Sequence, residues 1–170
     1  MRIAFSKFLF LSLLMLCGAS RPSLAQEGIF HMNFSFDGMV NCTRPLAVQN
    51  FTLHGEGRAV LYSDKRATLD YTQRGLSSTQ VNFDAKLGGA PSPAPGGTAS
   101  LRVVNRNQLR AVWSLPNNDL ILNVSVARNS CVAKIDARLK GGAREYSLYD
   151  SGILVYCSRP RIMNVACRAK

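Results

Sequence analysis

The chain has 170 residues, of which 46% are hydrophobic, and its formal net charge at pH 7 is +11. Residues 26–170 suffice for one domain with a real core. No stretch after the N-terminal segment approaches the roughly 20 apolar residues of a membrane-spanning helix, so the sequence excludes such a helix in the mature chain.

The N-terminal residues have the three parts of a secretory signal peptide. A basic start is followed by an apolar run at 8–16 and by a small-residue cleavage site at 23–25. We therefore predict a cleaved signal peptide at 1–25 and a single β domain at 26–170. The protein is then exported, to the periplasm if its source is bacterial and otherwise by secretion.

Alternation of apolar and polar residues predicts short strands in the first half of the mature chain. The clearest example begins at Phe30 and ends at Phe36, with four apolar side chains on one face, and Asp37-Gly38 is typical of a turn. Turn residues separate the runs that follow, and Gly55-Glu56-Gly57 is one such predicted turn. The predicted strands that follow are 46–54, 58–62, 67–72 and 80–87.

A low-complexity segment, GGAPSPAPGGT, covers residues 88–98. Its prolines and glycines do not sustain a ladder of strand hydrogen bonds, so we predict a loop there. Alternating runs resume after it, and Pro116 to Asp119 is typical of a hairpin turn. The predicted strands are 100–104, 109–115, 120–127, 131–139, 146–149, 153–157 and 162–167. Together these patterns predict an all-β fold, an antiparallel β-barrel or β-sandwich of about ten short strands.

Three arginines occur at a spacing of four, Arg102, Arg106 and Arg110. This spacing places them on one face of a helix over Leu101 to Trp113, but it also places them on one face of a strand, because every step is even. The β-branched pair Val103-Val104 favours the strand. In either geometry these arginines are candidates for a basic patch.

Five cysteines are present, and cleavage of the signal peptide leaves Cys42, Cys131, Cys157 and Cys167. An even number in an exported protein predicts two disulfides, for which three pairings exist. We favour Cys157 with Cys167, which closes a short C-terminal hairpin, and therefore Cys42 with Cys131. No two cysteines have C-x-x-C spacing, so the sequence predicts no metal site.

The positive charge is confined to one half of the mature chain. Residues 26–98 carry six basic and six acidic side chains, whereas residues 99–170 carry twelve basic and four acidic ones, a net charge of +8. Such asymmetry indicates an anionic partner or a solvated face that maintains solubility. The sequence argues against nucleic acid as a partner, because export separates the protein from it and no nucleic-acid-binding signature occurs.

A second group of candidate binding residues lies near the C-terminus. Tyrosines alternate there with arginines, a mixture that suits a rim for anionic sugars, phosphates or a protein partner. Alternatively, the tyrosine rings cap one end of the barrel. The group consists of Arg144, Tyr146, Tyr156, Arg159 and Arg161.

The sequence contains no nucleophile elbow, zinc-protease motif or phosphate-binding glycine loop. His31 and His54 are the available imidazole bases, and Glu56 is the candidate hydrogen-bond partner of His54. We expect a non-enzymatic domain without cofactor that binds an anionic lipid or polysaccharide of the cell envelope through its C-terminal half. The alternative is a protein-interaction or inhibitor module that uses the tyrosine rim and the loop at 88–98.

Overall fold

Two antiparallel β-sheets face each other in the computed structural model, which describes residues 28–44, 47–75, 91–150 and 152–170. The predicted signal peptide at 1–25, the predicted strand at 80–87 and residues 88–90 lie outside the described residues. The described strands are β1 Gly28–Arg44, β2 Ala47–Tyr62, β3 Ala67–Gly75, β4 Ser92–Ala94, β5 Gly97–Asn105, β6 Gln108–Ser114, β7 Asn118–Ala127, β8 Ser130–Leu139, β9 Tyr146–Asp150, β10 Ile153–Cys157 and β11 Arg161–Ala169.

Each sheet is built mainly from neighbours in sequence. The first sheet, sheet A, has the order β3-β2-β1-β10-β9, and β11 pairs with the part of β1 that β10 leaves free. The second sheet, sheet B, is the meander β4-β5-β6-β7-β8. The sheets approach each other where β3 contacts β5 and where β8 contacts β11. The all-β prediction is therefore confirmed, with two sheets that are not closed into one continuous barrel.

The core consists of the inward faces that the alternation predicts. Met32, Phe34 and Phe36 of β1 are at most 5% exposed. Met32 and Phe34 belong to one core cluster with buried side chains of sheet B such as Leu122 and Val124. A second apolar cluster surrounds Trp113 near the other end of the sheets. Because successive strand residues point to opposite faces, the intervening side chains form two outer faces that are available to a partner.

Two predicted turns are instead continuous strand. β1 runs through Asp37-Gly38, and β2 runs through Gly55 and Gly57. The reason lies in packing across the pair of strands, since the Phe36 ring lies where a side chain at Gly55 would be, and the Phe34 ring lies over Gly57 in the same way. These glycines leave room for aromatic rings from the neighbouring strand, so β1 and β2 are long strands of 17 and 16 residues.

The predicted loop at 88–98 is partly wrong. Its described part forms a hairpin, in which β4 pairs with the start of β5 through a turn at Pro95 and Gly96. Gly96 has a φ of 72°, which favours glycine at this position. β4 lies at the edge of sheet B, where proline is tolerated. The helical alternative for Leu101 to Trp113 is also wrong, because this segment is the β5–β6 hairpin.

All four cysteines among the described residues are in disulfides, but the favoured pairing is wrong. Cys42 of β1 is bonded to Cys157 of β10, and Cys131 of β8 is bonded to Cys167 of β11. The hairpin expected between Cys157 and Cys167 does not form, because β11 pairs with β1 rather than with β10. The first bond therefore joins neighbouring strands of sheet A, and the second joins sheet A to sheet B. Two such bonds indicate an oxidising extracellular compartment.

Candidate functional site

A row of polar and basic side chains crosses the outer face of sheet B. Arg102 of β5 is directly opposite Arg110 of β6, Arg110 is opposite Asn123 of β7, and Asn123 is opposite Lys134 of β8. Residues opposite each other in neighbouring strands have Cβ atoms about 5 Å apart and share one face. We call Arg102, Arg110 and Lys134 the basic row.

Further cations lie at the adjoining end of the sheets. Arg106-Asn107 forms the β5–β6 turn and Arg128-Asn129 forms the β7–β8 turn, and the backbone bond from Val126 N–H to the Asn107 carbonyl places the two turns side by side. Lys65, in the β2–β3 turn of sheet A, lines a shallow groove of 360 Å³ together with Arg102 and Arg106. We call Lys65, Arg106 and Arg128 the basic end.

No acidic side chain belongs to the basic row among the described residues of sheet B. At the basic end, Asp64 precedes Lys65 in the β2–β3 turn and is paired with Arg66. The next row towards the other end of sheet B contains Asp136, whose carboxylate is paired with Arg159 at 3.3 Å. Asp119 lies one row further and lies 3.8 Å from the ammonium group of Lys140. Like charges directly opposite in a sheet reduce stability, so the pairing of Arg102 with Arg110 has a cost that an anion would remove. The Nε of Arg110 is also buried without a hydrogen-bond acceptor.

The C-terminal candidate residues do not join the basic row. Arg144 precedes β9 near the β6–β7 connection, at the end of sheet B opposite Arg106, since Asn117 Nδ2 donates to the Glu145 carbonyl. Tyr146 is 9% exposed and belongs to the interior, whereas Tyr156 is 47% exposed on sheet A.

Arg159 and Arg161 flank the gap between β8 and β11. They lie with Asp136 beside a groove of 390 Å³. The structure thus separates the predicted arginines into three groups, at the basic row and its end, at the far end of sheet B, and at the β8–β11 gap, and it places both tyrosines elsewhere.

The chain matches no family model, no curated protein and no solved structure. Within the described ranges, no helix is long and apolar enough to cross a membrane. The same residues contain no group of three histidine, cysteine or acidic side chains placed to hold a metal ion.

His54 is paired with Asp37 rather than with Glu56. The Nδ1 of His54 lies 2.9 Å from a carboxylate oxygen of Asp37, and Asn164 donates to the other oxygen at 3.4 Å. These two hydrogen bonds lower the pKa of Asp37 below its ordinary value. Glu56 pairs with Arg74 across β2 and β3. All these groups are on the outer face of sheet A, away from the basic row.

An apolar cavity of 70 Å³ lies between the two sheets. Its polar lining includes Asp136, Tyr71 and Gln73. The Tyr71 hydroxyl donates to Gln73 Oε1 at 3.0 Å. Burial raises the pKa of Tyr71 and keeps its hydroxyl protonated as a donor. Trp113 forms part of the wall, and its indole N–H donates to the Pro95 carbonyl.

Sequence reasoning missed Lys65, Arg128 and Lys134. The regular spacing in sequence singled out Arg102 and Arg110, which lie opposite each other on β5 and β6. Lys134 joins them only through the register of two further strand pairs. One sequence signal was available for Arg128, because the dipeptide Arg-Asn occurs at both tight turns of that end.

Proposed function

We propose that the mature protein is an exported, non-enzymatic β domain that binds an anionic lipid surface of the cell envelope through the basic row and the basic end. The observation that carries this proposal is the row Arg102, Arg110 and Lys134, whose three cations cross one sheet face with no acidic side chain between them. The export route is the predicted signal peptide at 1–25, and N-terminal sequencing of the exported protein should begin at Gln26.

Exposed apolar side chains beside the cations favour a lipid surface over a polysaccharide. Val104 of β5 is 48% exposed and Val132 of β8 is 67% exposed, and both lie next to the basic row towards the basic end. Cations with neighbouring apolar groups suit the membrane interface, where charge meets the headgroups and apolar groups enter the boundary with the acyl chains. A charged polysaccharide offers the valines no apolar partner.

The expected strength of binding follows from the number of cations. Each lysine or arginine at an anionic bilayer contributes about 1 kcal/mol. The three residues of the basic row therefore contribute about 3 kcal/mol, which corresponds to on the order of a hundredfold in affinity. The interaction is screened by salt, since the Debye length falls from about 10 Å at 0.1 M to about 3 Å at 1 M ionic strength.

The test is cosedimentation of the oxidised mature protein with vesicles of phosphatidylglycerol or of phosphatidylcholine, at low and high salt. The first variant replaces Arg102, Arg110 and Lys134 with Ser. The matched control replaces Arg144, Arg168 and Lys170 with Ser, which are exposed and lie outside the basic row. Both variants lose three positive charges.

We expect the wild type and the control variant to bind phosphatidylglycerol at low salt and the row variant to lose most of its binding. Equal losses in the two variants would show that net charge, not the row, determines binding. Wild-type protein that ignores phosphatidylglycerol but binds an anionic polysaccharide would replace the lipid with that ligand.

A second candidate function is a protein-interaction surface on sheet A. Tyr156 of β10 and Val48 of β2 are 47% and 70% exposed. Each is directly opposite Thr43 of β1, one on either side of it, so the three residues share one face of sheet A. This pair favours a mostly apolar interface, whose affinity should change little with salt. The row variant changes sheet B only and therefore leaves this surface of sheet A intact. Cross-linking of the row variant to a protein partner would identify such a function.

A further inference from the structure

The interior cavity and the β8–β11 groove meet at one place. Ile135, Asp136 and Ala137 of β8 line both spaces, and so do Pro160 and Ile162 on the side of β11. The disulfide between Cys131 and Cys167 holds β8 and β11 together at the other end of these strands. The groove and the cavity are therefore adjacent at the gap between the sheets.

We infer that this gap is a binding site for a straight-chain fatty acid, with the end of the chain in the cavity and the carboxylate between Arg159 and Arg161. The site lies apart from the basic row, and the inference does not depend on the proposed function.

The size of the cavity selects the shape of the apolar group. A volume of 70 Å³ is about half of the roughly 150 Å³ that accommodates benzene in an engineered protein cavity. It therefore admits the end of an unbranched chain and excludes an aromatic ring or a sterol. The lining is apolar apart from three side chains: Tyr71 and Gln73, which bond each other, and Asp136, which also lines the groove and is paired with Arg159. Water therefore gains few partners in the cavity, and an alkyl chain can replace it at little cost.

The charges at the entrance select the head group. Arg159 and Arg161 line the groove with Asp136, and Arg159 is 70% exposed and pairs with the Asp136 carboxylate. The two guanidinium groups outnumber the Asp136 carboxylate, so the entrance has a net positive charge. A carboxylate on the ligand takes the place that Asp136 holds on Arg159, whereas an amine is repelled by this net charge. The site therefore discriminates between acids and amines of equal chain length.

Trp113 provides a built-in reporter, because it is the single tryptophan of the chain and forms part of the cavity wall. The oxidised mature protein is titrated with octanoate, hexanoate, acetate and octylamine below the concentrations at which they aggregate, and Trp113 fluorescence is recorded. Octanoate should give a saturable change with about fifteenfold higher affinity than hexanoate, since each buried methylene group contributes about fourfold. Acetate and octylamine should give no saturable change.

Three variants test the assignment of the residues. Arg159→Gln with Arg161→Gln should weaken octanoate binding about tenfold, because exposed charge-assisted hydrogen bonds are lost. Asp136→Asn should strengthen it about two- to fivefold by releasing Arg159 from its competitor. Ala137→Leu narrows the junction of groove and cavity and should reduce the gain per methylene.

The basic-row variant distinguishes this inference from the proposed function, because it should bind octanoate as the wild type does. Octylamine binding equal to that of octanoate, or affinities independent of chain length, would overturn the inference. An absence of any Trp113 response in the wild type would also overturn it. The two arginine substitutions are at exposed positions, so we expect the variant to fold and its binding to be measurable.

Discussion

Removal of the disulfide between β8 and β11 tests both the pairing of the cysteines and the way in which the two sheets are held together. Cys131 and Cys167 are separated by 36 residues in sequence. The loop-entropy model gives about 4 kcal/mol for closing a loop of this length in the unfolded chain. The bond between Cys42 and Cys157, with a separation of 115 residues, contributes about 5 kcal/mol by the same relation.

The variant Cys131→Ala with Cys167→Ala should therefore unfold at about 2 M lower urea, if the denaturant slope is about 2 kcal/mol/M. Trp113 fluorescence follows the transition, and a thiol assay on the unfolded, unreduced protein counts free cysteines. We expect none, because Cys42 and Cys157 remain bonded to each other. Two free thiols would show that Cys42 and Cys157 are not bonded to each other, which would overturn the assigned pairing. An unchanged urea midpoint would refute the assigned role of the bond.

Three further predictions concern the packing and the polar pairs of sheet A. Gly55→Ala should lower the free energy of unfolding by about 1–3 kcal/mol, because the added methyl group collides with the Phe36 ring. In the control Gly141→Ala the added methyl group meets nothing within 4 Å, so the free energy of unfolding should not change. Equal urea midpoints for the two variants would contradict this packing. Tyr71→Phe should lower the free energy of unfolding by about 1–3 kcal/mol, because the hydrogen bond to Gln73 is lost. It should also remove the tyrosine that stays protonated longest in an alkaline absorbance titration. If that tyrosine still titrates late in the variant, the buried hydroxyl is not that of Tyr71. Asp37→Asn should destabilise the protein above pH 3.8 and progressively less below it. The folded-state pKa of Asp37 is lowered, so its contribution to stability is present above the ordinary pKa of 3.8 and is lost as the pH falls through the folded-state pKa. A difference in urea midpoint between wild type and variant that grows at acid pH would contradict this prediction.

The alternation of side chains was enough to predict the inward faces but not the lengths of the strands. Phe30 to Phe36 and the runs of β7 and β8 alternate clearly, and their apolar residues face the core. Gly55 and Gly57 resemble a turn in the sequence because their partners, the rings of Phe36 and Phe34, come from another strand. Local pattern does not contain this information, since it depends on the register of β1 with β2.

The disulfides and the basic row depend on contacts between distant segments. The favoured bond between Cys157 and Cys167 followed from their closeness in sequence, but β11 leaves β10 and pairs with β1 instead. The even spacing predicted that Arg102, Arg106 and Arg110 share one face. Arg102 and Arg110 do so as opposite residues of the β5–β6 hairpin, whereas Arg106 lies in the turn. Lys134 is two strands away, so its place in the basic row required the sheet itself.

The most direct test of the basic row as a lipid-binding surface is hydrogen–deuterium exchange of the mature protein with and without phosphatidylglycerol vesicles, read by mass spectrometry. The turns at residues 106–107 and 128–129 are exposed and adjoin the basic row. We predict slower exchange in these turns with phosphatidylglycerol at low salt, and no change with phosphatidylcholine or at high salt. Protection confined to the outer face of sheet A, or unchanged exchange at both turns in protein that is bound to the vesicles, would contradict the account.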